Sequence, residues 1–125
     1  MKIHHIGIAC SDIEEAIQEF SDYHTIVRKS EIIFDTLQNA KLCLINTDTG
    51  LDVEFISGEQ VSKLVKKGIN YYHICYEVDD LQSTIDNYLA QGAKLISESK
   101  EAVLFENRKV AFLYVSYGLI ELLEK

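Results

Sequence analysis

The chain has 125 residues, 47% of them hydrophobic, and a formal net charge of −8. This length and apolar content predict one compact domain with its own core, and no apolar run approaches the roughly 20 residues that span a bilayer. The acidic surface disfavours nucleic-acid phosphates, and the N-terminus leads directly into a strand rather than a signal peptide, so we expect a cytoplasmic protein with no nucleic-acid or membrane partner.

Hydrophobic periodicity predicts two modules of the same order, β-α-β-β-β. The first has a strand over 2–10, a helix over 12–22 and strands near 25–34, 40–46 and 51–57. A short connecting helix over 59–67 follows. The second has a strand over 70–78, a helix over 80–91 and strands near 93–98, 109–116 and 118–124, with 97–109 as a polar loop or hairpin tip. We therefore predict a single domain, 1–125, made of modules at about 1–58 and 69–125.

Both main helices carry the same start signal. Ser11 with Glu14, and Asp79 with Gln82, have the spacing of a capping box, in which two side chains satisfy free amide groups of the first turn. Gly68 is the predicted end of the connecting helix.

The two modules are related by a shift of 68 positions. Under this shift His5 falls on His73, and the match extends through Ile6 and Ile74, Asp12 and Asp80, Ile17 and Ile85, and Phe20 and Tyr88. One residue is lost after Gly50 and Gly118, so that Glu54 falls on Glu121. Internal similarity of this density indicates a duplicated module.

Two His/Glu pairs occupy matched positions in the modules. His5 and Glu54 are 49 residues apart, and His73 and Glu121 are 48 apart. Imidazole and carboxylate suit a divalent transition metal. For any one of these residues a hydrogen-bonded core histidine or a solvent-facing glutamate is the simpler explanation, but the matched set of four favours one His2Glu2 metal centre with open positions. Side chains alternate across a strand, so His4 faces away from His5 and is not predicted as a ligand.

These residues resemble the vicinal oxygen chelate superfamily, in particular its small bacterial glyoxalase I and methylmalonyl-CoA epimerase branch. The resemblance covers the whole chain and is carried by His5-Ile6-Gly7-Ile8-Ala9, Ser11-Asp12-Ile13, Val53-Glu54-Phe55, His73 through Asp80, Val110-Ala111-Phe112-Leu113 and Gly118 through Leu122. It implies an α+β fold in which tandem βαβββ modules form one cupped eight-stranded sheet. It also implies one divalent ion at His5, Glu54, His73 and Glu121, with Ni²⁺ or Co²⁺ favoured and Zn²⁺ or Mn²⁺ as alternatives.

The resemblance further implies proton transfer beside a carbonyl that the ion polarises. Glu121 is the expected base, and Glu54 is the expected ligand or second base. Glyoxalase I (lactoylglutathione lyase) isomerises the hemithioacetal of methylglyoxal and a thiol, usually glutathione, to a lactoyl thioester. The epimerase instead inverts the carbon between the two carbonyls of methylmalonyl-CoA. A thioester or hemithioacetal is thus the expected substrate, although the thiol carrier is left open.

Two departures favour the glyoxalase as the main expectation. The epimerases place a glutamate at the start of the third strand, where an ungapped count from Glu54 gives Gln38, and glutamine cannot accept a proton. They also commonly carry glutamine at the metal position that Glu54 occupies here. A third interpretation is a non-catalytic binding protein, but such relatives commonly lack the metal carboxylates.

The remaining polar residues give weaker predictions. Arg28, Arg108 and Lys109 are the candidate anion contacts, although ordinary surface charge explains each of them more simply, as it does the cluster Lys63, Lys66 and Lys67. The cysteines, at positions 10, 43 and 75, lack metal or redox spacing and fit reduced, buried thiols better than a nucleophile. A homodimer is expected from the general frequency of two-fold oligomers.

Overall fold

The structure is a computed structural model that describes residues 1–125. It contains nine strands, namely β1 (Lys2–Ala9), β2 (Ile26–Lys29), β3 (Ile33–Asp35), β4 (Ala40–Thr47), β5 (Asp52–Gly58), β6 (Tyr71–Val78), β7 (Lys94–Ala102), β8 (Arg108–Val115) and β9 (Gly118–Glu124). The α-helices are α1 (Ile13–Tyr23), α2 (Ser62–Lys66) and α3 (Leu81–Ala90). Short 3₁₀ turns cover Glu59–Val61 and Val103–Phe105. None of the helices is long and apolar enough to cross a membrane.

The chain divides into two compact units. The N-terminal unit is His5–Tyr72, and the C-terminal unit combines Met1–His4 with His73–Lys125. Both units use the same local design, in which the first and last strands pair in parallel and the other strands pair antiparallel.

In the N-terminal unit the strand order is β2-β4-β5-β1, with β3 beside β4. Helix α1 buries its apolar stripe against one face of these strands, in a core formed by Ile13, Ile17, Cys43, Ile45 and Phe55. The stripe repeats at the helical period, as the sequence predicted. The alternate residues of β1 and β5, including His5 and Glu54, consequently lie on the face away from α1.

In the C-terminal unit the strand order is β6-β9-β8-β7. Helix α3 packs on one face, in a core formed by Val78, Leu81, Ile85, Ala111, Leu113, Ile120 and Leu122. Leu89 near the end of this helix is 40% exposed, because it falls outside the buried stripe. His73 and Glu121 alternate with the core residues of β6 and β9, and so lie on the face away from α3.

The helix caps differ from the prediction by one residue. Asp12 Oδ1 accepts a hydrogen bond from Glu15 N, and Asp80 Oδ1 accepts one from Ser83 N, each at 3.0 Å. The predicted capping boxes that begin at Ser11 and Asp79 were therefore wrong, because the carboxylate nearest the first helical amide groups takes the cap.

Two strand predictions also need correction. The strand expected over 25–34 is split into β2 and β3, and Ser30 between them accepts a hydrogen bond from Leu44 N through Oγ at 2.9 Å. The segment expected to be a loop over 97–109 continues as β7 as far as Ala102. Its polar residues suit an outer strand, because one face and one edge of such a strand meet solvent.

Candidate metal centre

The N-terminal unit brings His5 and Glu54 together across a parallel strand pair. Glu54 on β5 lies opposite Gly7 on β1, two residues after His5. The Nε2 atom of His5 lies 3.7 Å from Glu54 Oε1, and the two residues are 0% and 4% exposed. The parallel pairing thus converts a separation of 49 positions into a contact distance.

The C-terminal unit repeats this arrangement with the same register. Glu121 on β9 lies opposite Cys75 on β6, two residues after His73. The Nε2 atom of His73 lies 3.1 Å from Glu121 Oε1, and the residues are 1% and 2% exposed. The Phe112 ring meets the His73 imidazole edge to face, with 5.5 Å between centroids, and fixes the plane of that ring.

Each pair has the chemistry and spacing of two ligands of one metal ion. All four side chains are buried, and each offers an imidazole nitrogen or a carboxylate oxygen. Two ligands that each lie about 2.1 Å from an ion are about 3.0 Å apart at a right angle and about 3.6 Å apart at 120°. The donor separation of 3.1 Å falls in this range, and that of 3.7 Å lies just above it and corresponds to an angle of about 124°. A buried carboxylate is costly without a balancing positive charge, which a divalent ion provides.

Gln38 does not lie at the start of a strand. It belongs to the turn between β3 and β4, is 8% exposed, and donates from Nε2 to Asp35 Oδ2 at 2.9 Å. Asp35 is itself only 2% exposed and also accepts from Leu37 N through Oδ1 at 2.9 Å. An ungapped count from Glu54 therefore reaches the Gln38 amide and not the Asp35 carboxylate to which that amide donates.

Asp35 lies on the same face of the N-terminal unit as Glu54. It is opposite Ala40 on β4, Leu44 on the same strand is opposite Glu54, and residues an even number apart share a face. Sequence reasoning missed Asp35 because a lone aspartate before a turn is usually a turn-forming residue.

Of the three predicted anion contacts, Arg108 is engaged in hydrogen bonds within the protein. Arg108 donates to Glu77 Oε2 at 2.6 Å and to the Glu124 carbonyl oxygen at 2.8 Å, so it ties β8 to β6 and β9. This hydrogen bond from Arg108 holds the pKa of the Glu77 carboxyl below its ordinary value. Arg28 and Lys109 are exposed, as are Lys63, Lys66 and Lys67.

The cysteines form no disulfide. Burial, together with the charges of Asp12 and Glu14, raises the pKa of Cys10 to about 11. Burial also raises the pKa of Cys43. Thiols with a raised pKa are poor nucleophiles at neutral pH, which argues against a nucleophilic role for Cys10 and Cys43.

Comparison with known families identifies the class of this chain. The family model of the Glyoxalase/Bleomycin resistance protein/Dioxygenase superfamily matches residues 4–112, which include His5, Glu54 and His73. The chain belongs to this superfamily. Glu121 lies beyond the matched residues, so its assignment as a candidate ligand depends on its contact with His73. No curated protein matches the sequence significantly.

Solved structures share the fold along nearly the whole chain. Methylmalonyl-CoA epimerase from Mycobacterium tuberculosis is 21% identical with a TM-score of 0.79, and the match covers 98% of this chain and 87% of that one. The Streptomyces coelicolor epimerase in complex with 2-nitronate-propionyl-CoA is 16% identical with a TM-score of 0.77, over 100% and 94%. Glyoxalase I from Zea mays is 21% identical with a TM-score of 0.70, over 98% of this chain and 42% of that one. The predicted α+β fold of tandem βαβββ modules is confirmed.

Proposed function

We propose that the protein is a metal-dependent acid–base enzyme in which His5, Glu54, His73 and Glu121 together ligate one divalent ion. The observation that carries this proposal is a buried His/Glu pair in each unit, with the same strand register and with donor separations that suit a shared ion. When bound, such an ion polarises a carbonyl oxygen and favours loss of a proton from the adjacent carbon. Its identity among Ni²⁺, Co²⁺, Zn²⁺ and Mn²⁺ is to be measured.

Glu121 is the proposed proton carrier. A carboxylate can hold an ion through one oxygen while the other accepts a proton, and burial at 2% exposure keeps bulk water away from the reacting carbon. His73 and Phe112 hold the carboxylate in place, since His73 contacts Glu121 and is itself fixed by the Phe112 ring. Glu54 supplies the corresponding ligand in the N-terminal unit.

The proposed reaction is inversion of an acidic carbon in an acyl thioester, as in methylmalonyl-CoA epimerase. Two epimerase structures match this chain over nearly the full length of both proteins, which supports this reaction over the glyoxalase expected from the sequence. Inversion requires a second group that returns a proton to the other face of the carbon. Gln38 cannot accept a proton, so Asp35 is the proposed second group. It is a buried carboxylate on the same face as Glu54, and it accepts a hydrogen bond from Gln38.

A glyoxalase I-like isomerase is the second candidate. It is favoured by Glu54, which occupies a position where epimerases commonly carry glutamine, and by the likeness to the Zea mays enzyme. Isomerisation of a hemithioacetal moves a proton between two adjacent carbons, so Glu121 alone would serve and Asp35 would be dispensable.

A paired assay on metal-loaded protein tests the proposal. We expect inversion of one methylmalonyl-CoA epimer, with solvent deuterium entering at the acidic carbon, and little lactoyl thioester from methylglyoxal and glutathione. The reverse result would establish the glyoxalase reaction. Absence of turnover with both substrates, while the protein still binds an ion, would favour a non-catalytic binding protein.

A further inference from the structure

We propose that Ser97 and Lys100 form a carboxylate-binding subsite beside the His73–Glu121 pair and make the site selective for acyl thioesters that carry a free carboxylate. This inference rests on the proposed function and names its substrate class. Every residue that carries it lies in the C-terminal unit.

One of the two bulges in β7 lies between Ser97 and Lys100 and places their side chains on one face. Ser97 lies opposite Phe112 on β8, and Lys100 lies opposite Val110, so three residues of β7 span two of β8. In a regular strand, residues three positions apart point to opposite faces. The extra residue cancels that alternation, and bulges are often found where a strand must redirect a side chain beside a site.

The bulge turns Ser97 and Lys100 to the same face as the candidate metal ligands His73 and Glu121. Phe112 lies opposite Glu121 in the pairing of β8 with β9, and its ring contacts His73. The Lys100 Nζ atom lies 5.8 Å from the centroid of the Phe112 ring. One aromatic ring therefore separates this ammonium group from the imidazole of a predicted metal ligand.

Both polar groups keep unused hydrogen-bonding capacity. Ser97 Oγ is shielded from solvent and has no hydrogen-bond partner. Lys100 makes no ion pair, in contrast to Lys41 with Glu14 and Lys125 with Asp79. Its contact with Phe112 is a cation–π interaction, which orients the ammonium group and leaves its protons available. A buried hydroxyl without a partner costs stability, and a bound acceptor would recover that cost.

A carboxylate matches this pair of donors. It is an acceptor with two oxygens, and a hydrogen bond from an ammonium group to a carboxylate is among the stronger ones in proteins. An acyl thioester with a carboxylate on its acidic carbon presents this anion close to the carbonyl group. A thioester that carries hydrogen or methyl there would leave Ser97 and Lys100 without a ligand, so the donors distinguish malonyl-type from simple acyl thioesters.

The test compares dissociation constants of malonyl-CoA and propionyl-CoA by calorimetry on the metal-loaded protein. The nucleotide and pantetheine portions are common to both ligands, so the ratio isolates the carboxylate. Lys100→Met keeps an apolar side chain on Phe112, and we expect it to weaken malonyl-CoA about tenfold or more while propionyl-CoA changes less than about twofold. Ser97→Ala should act in the same direction with a smaller effect.

Lys109→Met is the matched control, because Lys109 is exposed on the neighbouring strand opposite Glu101 and faces the other side. It should leave the ratio unchanged, and Lys100→Arg should preserve most of the malonyl-CoA preference. Equal weakening of both ligands by Lys100→Met, or an equal effect of Lys109→Met, would overturn the subsite. Epimerisation that persists with an unaltered ratio would reject the subsite alone. A Lys100-dependent ratio without epimerisation would reject the reaction alone.

Discussion

The Nε2 atom of His73 lies 3.1 Å from Oε1 of Glu121, whereas the corresponding atoms of His5 and Glu54 are 3.7 Å apart. Both pairs lie at the same register of a parallel strand pair, in which the glutamate is opposite the residue two positions after the histidine. Either separation suits two ligands of one ion, so each pair meets this requirement with its strands as they stand.

Removal of a ligand should release the ion. Native protein is expected to bind one divalent ion per chain, and His73→Ala should lose most of it in metal analysis after dialysis. His24→Ala removes an exposed histidine beside Phe20 and is the control that should retain the ion. Full metal content in His73→Ala would refute the predicted ligand set. A thermal melt offers a second measurement, since a bound ion stabilises the native protein by mass action and the variant should lose that gain.

Glu121→Gln should separate metal binding from proton transfer. The amide oxygen can still act as a ligand but cannot accept a proton near neutral pH, so exchange of the substrate C–H with deuterated solvent should fall by about 100-fold or more. Metal content is measured on the same sample. A variant that retains its ion and exchanges at the native rate would show that another group carries the proton.

Asp35→Asn should distinguish inversion from exchange. If Asp35 serves one face of the carbon, the variant should lose inversion by about 100-fold or more, while one epimer continues to exchange its proton through Glu121. The asparagine oxygen can still accept from Leu37 N, so the turn should be preserved. Gln38→Ala removes the hydrogen bond to Asp35 and should lower inversion modestly. Native inversion rates in Asp35→Asn would show that a group other than Asp35 serves the second face of the carbon.

The Glu77–Arg108 pair predicts a pH-dependent stability. Its hydrogen bond lowers the Glu77 pKa in the folded protein. The pair therefore stabilises the fold at pH values above about 4.3, the pKa of an unfolded glutamate. This stabilisation is lost as the pH falls through the lower pKa of the folded protein. Glu77→Gln should cost about 1 kcal/mol at pH 7, and the difference from native protein should shrink toward about pH 3. Chemical denaturation at pH 7 and at about pH 3 measures this difference in the free energy of unfolding. Asp79→Asn alters an exposed pair with Lys125 and should show a smaller difference.

The sequence predicted the duplicated fold because the apolar pattern and the His/Glu positions repeat with one shift. The faces of His5, Glu54, His73 and Glu121 followed from alternation along regular strands. Ser97 and Lys100 could not be placed in this way, because a bulge inverts the alternation and leaves no compositional signal. The position of Asp35 could not be predicted for a related reason. Its relation to Glu54 depends on the pairing of β3 with β4, and a three-residue strand has too little pattern to detect.

The bulges of β7 also bear on the solubility of the protein. β7 is the last strand of its unit, and a strand of nine residues with one unpaired edge offers free amide and carbonyl groups to any other extended chain. Two breaks in register interrupt that row, and Lys94, Glu98, Lys100 and Glu101 add charge along it. Straightening β7 by deleting both bulge residues would therefore do more than misdirect Lys100. It would give the molecule a continuous edge on which copies could stack and precipitate.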